Sequence, residues 1–190
     1  NTITVLLDKN RTKDAESLIS KYPGSYPDLV LQQGALAFLK KDYSLAQKLF
    51  REAARRASET TAENALFNEN LAALNANDAS GAAALIKEAA GSSRLRESIL
   101  FEQAHYAAKR MAPQAAELLA NFITLAETPA LKTQARLDQV EVALNLNPPD
   151  LETVQAILPL LEKEQLSPEQ TMQLARLNIL EEESRQEWPS

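Results

Sequence analysis

The residues whose types could do chemistry are few and scattered. His105 is the only histidine and the chain has no cysteine. A two-histidine metal site or a Ser-His-Asp triad cannot be built from this chain alone, and thiol nucleophiles, disulfides and zinc knuckles are excluded outright. His105, beside Tyr106, reads as a structural or partly exposed helix residue. Glu162 with Glu164, and Glu181 with Glu183, are paired carboxylates, but positions two apart on a helix do not face each other, so they read as solvated acids. Gly81 and Gly91 form no phosphate-cradling run, and neither GxxxxGK[ST] nor GxGxxG occurs, which speaks against nucleotide binding. Arg51 and Arg55 share a helix stripe beside Arg56, but phosphate readers need a wider basic surface, so this too reads as a solvated face. One constellation points to recognition. Asn64, Asn68, Leu71 and Asn75 recur at spacings of four, three and four, which sets them on one helix stripe. Carboxamides there donate and accept hydrogen bonds to an extended backbone without demanding a charge. These four are the expected partner-binding residues; no catalytic, cofactor-binding or metal-binding residue is expected.

What must position them follows from composition and periodicity. Of 190 residues, 45% are hydrophobic and 24% charged, enough apolar material for a core and too little charge for a disordered acidic tail. Only 4 glycines and 5% aromatics, against abundant Ala, Leu, Glu and Gln, favour helix and leave little for strands. The longest apolar runs, such as Ala156 to Leu161, fall far short of the roughly 20 residues a bilayer crossing needs, so no direct membrane insertion is expected. A net charge of −6 and a pI near 5.0 make nucleic acid a poor partner. The chain opens at Asn1 without an initiating Met, which reads as a processed chain or a piece of a longer one.

Internal repetition is visible directly. KDYSLAQKLFREAA (Lys41 to Ala54) lies over NDASGAAALIKEAA (Asn77 to Ala90), with Ala46 over Ala82, Leu49 over Leu85, Phe50 over Ile86 and Ala53 over Ala89, an offset of 78 − 42 = 36. RMAPQAAELLANFI (Arg110 to Ile123) repeats the pattern at Ala115, Leu118 and Leu119, an offset of 115 − 82 = 33. Ala15, Leu18 and Ile19 upstream, and Val154, Ile157 and Leu158 downstream, follow it more loosely. Each preceding segment (from Leu31, Phe67 and Leu100) is apolar at three-to-four spacing, so each unit is a helix, a tight turn and a second helix. A recurrent small Ala lets the two helices approach closely, and stacking of such hairpins buries what one hairpin cannot. The predicted helices span 12–21, 27–40, 43–57, 61–75, 79–90, 94–109, 113–126, 130–145, 150–164 and 168–186, with a remnant in Asn1 to Leu7. Capping boxes are expected at Thr60 to Glu63 and Ser167 to Gln170, proline starts at Pro113, Pro129 and Pro148 or Pro149, and C-terminal caps at Gly24 and Gly91.

The string GALAFLKKDYSLAQKLFREA, Gly34 to Ala53, resembles a tetratricopeptide repeat, with Gly34 as the small residue of the first helix, Asp42-Tyr43 at the turn, and Ala46, Phe50 and Ala53 along the second. Tyr106 falls where the family's first-helix Tyr is expected. The likeness weakens away from this repeat; the family repeats at about 34 residues. It implies one all-α domain over 1–190, a right-handed superhelix of stacked antiparallel helix-turn-helix repeats with about ten helices. The clearest repeats are 27–57, 61–90 and 94–126, a degenerate one is 130–164, and a C-terminal capping helix is 168–186. Trp188 and the Glu-rich end would form a polar cap. The implied function is non-catalytic: a protein-interaction scaffold holding a partner protein or peptide in a concave groove lined by the first helices, within a larger assembly. Alternatives are a periplasmic domain of a larger bacterial envelope export or assembly protein, the localisation favoured over cytoplasmic, and an RNA-binding helical repeat. The family's carboxylate-clamp positions carry Leu31, Ala35, Phe67 and Leu71, so chaperone-tail binding is not expected. The packed face of the first helix falls either on Gln33, Glu69 and Glu102 or, one residue over, on Leu31, Ala35 and Phe38.

Overall fold

A computed structural model describes residues 2–22 and 26–187. Its described residues form eleven α-helices and no strand: α1 Thr2–Asp8, α2 Thr12–Ile19, α3 Pro27–Leu39, α4 Tyr43–Arg56, α5 Glu59–Asn75, α6 Ala79–Glu88, α7 Ser93–Lys109, α8 Ala115–Leu125, α9 Pro129–Leu144, α10 Leu151–Leu161 and α11 Pro168–Glu187, with one 3-10 turn, Ala89–Gly91, after α6. The all-α class is the one expected, and each predicted helix is present to within a few residues. The chain divides into two compact units, 1–99 and 100–190.

The turns that fold helices into hairpins share one design. After α1, α3, α5 and α7 a residue takes positive φ: Asn10 (55°), Lys41 (63°), Asn77 (57°) and Met111 (50°). The next N–H then reaches back five residues: Arg11 to the Leu6 carbonyl (2.8 Å), and Asp42 to Ala37, Asp78 to Ala73 and Ala112 to Ala107 (2.9 Å each). These Schellman closures satisfy carbonyls that a helix end leaves open. Aspartate then caps the following helix. Asp42 accepts from Leu45 N–H (3.1 Å), Asp78 from Gly81 N–H (2.9 Å) and Asp150 from Thr153 N–H (3.1 Å).

Some caps differ from expectation. The Ser167 box is reciprocal, its N–H donating to Gln170 Oε1 (3.1 Å) and its Oγ accepting from Gln170 N–H (3.2 Å). The Thr60 box is not used, because α5 begins at Glu59 behind Ser58. Pro129 opens α9 as predicted, but Pro113 lies in the turn before α8, and α10 starts behind Asp150 instead of at a proline. Gly91 has no positive φ and ends the 3-10 turn. Gly24 and Trp188 lie outside the described residues.

In unit 1 the recurrent alanines lie in the core, Ala46 and Ala53 being fully buried and Ala82 and Ala89 nearly so. Gly34 lies against the Phe50 ring so closely that a Cβ would stand 2.6 Å from two ring carbons. Packing is sequential along the chain, and α1 also touches α3 and α3 touches α5. In unit 2, Phe101, Ala104, Ala115, Leu119, Phe122 and Ala135 form one core cluster. Leu137, Val140, Val154, Leu158, Leu161, Leu174 and Leu177 belong to a second. There α9 touches α8, α10 and α11.

Candidate functional site

Within unit 1, where α3 touches both α1 and α5, lies a 320 Å³ cavity open to solvent, lined by Leu7 and Asp8 of α1, Ala35, Phe38 and Leu39 of α3, Phe50 of α4, and Asn68 and Leu71 of α5. Phe50 is buried and forms the floor, whereas Phe38, Asn68 and Leu71 are half-buried and Leu39 is exposed. Two of the four expected partner-binding residues, Asn68 and Leu71, therefore meet at this groove. Asn64 is exposed on the same helix but outside the lining. Asn75 is half-buried and its Nδ2 donates to the Leu71 carbonyl of its own helix (2.8 Å), so part of its hydrogen-bonding capacity is already spent.

Phe38 serves both packing and groove. It packs from the side on the Ala37, Ala46, Phe50 and Ala72 cluster, meets the Tyr43 ring edge-on at 5.3 Å, and still lines the cavity. The two candidate packed faces of the first helix resolve accordingly. Val30, Gly34 and Ala37 form the buried line of α3, with Leu31, Ala35 and Phe38 as its half-buried flank. On the other register, Glu69 is buried but Gln33 and Glu102 are half-buried.

Glu69 is held by Arg51. The guanidinium donates to Glu69 (2.9 Å from Nε) and also pairs with Glu88, so Arg51 ties α4 to α5 and α6. Burial lifts the Glu69 carboxyl above its usual range, opposed by the neighbouring Arg51 charge. Arg51 is thus engaged in packing and is not a free basic stripe; the sequence offered no sign that its partner would be a buried acid.

In unit 2 the α7, α9 and α11 helices carry a linked polar row. His105 Nδ1 lies 2.5 Å from Oδ2 of Asp138, which is 1% exposed, and the imidazole stacks on Phe101 with centroids 5.4 Å apart. That hydrogen bond to Asp138 raises the His105 pKa. Lys109 Nζ donates to Glu141 (3.0 Å) and lies 3.6 Å from Asp138, while Arg176 reaches Glu141 (2.6 Å). Gln134 donates to Asp138 (3.2 Å) and to Gln173 (3.0 Å). Burial raises the Glu102 pKa one turn before the histidine. Sequence reading left Asp138 unremarked, yet a signal existed: it follows His105 by 33 residues, the helix-B offset noted above, so the two occupy matching positions of successive hairpins. Among the described residues no group of three or more His, Asp or Glu side chains is placed to hold a metal ion, and no helix is long and apolar enough to cross a membrane.

Beside this geometry, comparison with known proteins adds no relative: no family model, curated protein or solved structure matches the chain.

Proposed function

We propose that the chain is a non-catalytic protein-interaction scaffold of the tetratricopeptide-repeat kind, stacked as a right-handed superhelix, whose unit 1 groove holds a segment of a partner protein. The observation that carries this reading is the groove over α1, α3 and α5, with an apolar floor and one carboxamide at its edge. A volume of 320 Å³ is at the small end of ligand pockets, which run from about 300 to 1,000 Å³, and suits anchoring side chains of a bound segment better than a cofactor. Leu7, Leu39 and Leu71 would surround an inserted apolar side chain, and Asn68 would bond the passing backbone. The non-catalytic part of the reading draws on the sequence, which has no cysteine and a single histidine.

The test is selection of peptides from a displayed random library on the immobilised protein, then titration against Leu39→Asp and Asn68→Arg variants whose helicity matches the parent. Tenfold or greater weakening by either substitution is the expected result. Affinity unchanged in both would remove the groove from the account.

A further inference from the structure

The unit 1 groove has a one-sided charge. Its lining contains a single formal charge, Asp8. Along α3 the stripe running through the lining residues Ala35 and Leu39 continues at helical spacing to Gln32 and Asp28, and along α5 the stripe is Asn64, Asn68, Leu71 and Asn75. Neither stripe carries a Lys or Arg. Of the lysines that directly follow the lining residues of α1 and α3 in sequence, Lys40 pairs with Glu16 of α2 at 2.7 Å, and the exposed Lys9 and Lys41 are not part of the lining.

The two carboxylates differ in what explains them. Asp28 sits in the first turn of α3, where the helix dipole favours an anion. Asp8 is the last residue of α1, the end at which the dipole disfavours an anion; it is exposed and makes no ion pair among the described residues. Its charge has no ionic partner among the described residues, and it stands at the edge of an apolar cleft.

We propose that the groove selects a partner segment with an apolar anchor flanked by Lys or Arg, whose cation meets Asp8, and that the segment passes through with its backbone amides and without presenting a free terminal carboxylate. This deepens the scaffold reading and rests on it. Asp8 contributes discrimination more than affinity, since like charges across an interface exclude wrong partners while a rim ion pair adds little binding.

The experiment uses one library-selected peptide that loses binding to the Asn68→Arg variant, together with synthetic analogues in which its basic flank is Ala or Glu, each with free and amidated C-termini. Isothermal titration against the parent and Asp8→Lys gives the readout. The parent is expected to bind the basic form about 3- to 10-fold tighter than the Glu form, with the order reversed in Asp8→Lys and no gain from a free C-terminus. Selected peptides without a basic flank, equal affinities within twofold, or tighter binding of the free acid would overturn the charge proposal while leaving the scaffold reading in place. Binding that survives Asn68→Arg and Leu39→Asp alike, or a library yielding no binder, would overturn both.

Discussion

Two small residues set how closely the hairpin of α3 and α4 can close. Gly34 faces Phe50 so closely that a methyl group would force the buried ring to shift. An alanine in a helix normally gains about 0.5 to 1 kcal/mol over glycine, but overpacking a rigid contact costs about 1 to 3 kcal/mol. Gly34→Ala should therefore lower stability by about 1 kcal/mol in denaturant unfolding. Ala46→Leu, at a fully buried position, should lower it by about 1 to 3 kcal/mol for the same reason. A rise in midpoint for either would mean the contact is looser than described. Ala46, Ala82 and Ala115 were legible in the sequence because a small residue among large ones recurs at the repeat spacing. Helical spacing put Asn68 and Leu71 on one face, and that face borders the groove. Spacing alone could not reveal that Asn75 bonds its own backbone, since that depends on a rotamer.

The helix ends carry information that composition conceals. Glycine caps were expected at Gly24 and Gly91 only, and after α1, α3, α5 and α7 the left-handed positions are held by Asn10, Lys41, Asn77 and Met111, of which only asparagine accepts that conformation readily. The hairpin geometry evidently decides the backbone there, and the residue follows at some cost. Met111 is 43% exposed, so replacing it loses little burial. Met111→Gly should raise stability by about 0.5 to 1 kcal/mol by relieving a side chain at positive φ. A loss of stability would indicate that its side chain packs more than its exposure suggests. The α7 to α9 tie has a pH signature. Because Asp138 raises the His105 pKa, the bond's contribution is fully present below the unfolded value of about 6.5 and is lost as pH rises through the higher folded value. Thermal unfolding should weaken more steeply from pH 6 to pH 8.5 in the parent than in His105→Gln. Since the chain has no other histidine, equal slopes would show that the ion pair adds nothing.

At the scale of the whole molecule, the all-α class was legible because helix periodicity runs through every segment, and far-ultraviolet circular dichroism should report helix with no strand component. The polar rows were less so. A helix presents its residues to both neighbouring hairpins as well as to solvent, so a buried Asp138 or Glu69 resembles a surface acid until its partner one hairpin away is known. The central claim is that recognition belongs to the face of unit 1 formed by α1, α3 and α5. Methyl-resolved NMR during titration with a library-selected peptide tests it most directly, because Leu7, Leu39 and Leu71 line the groove while the exposed Leu45 of α4 lies outside it. The account predicts that the methyl signals of Leu7, Leu39 and Leu71 shift together and saturate at one affinity while Leu45 stays in place. Shifts at Leu45 with the three groove leucines unmoved would contradict it.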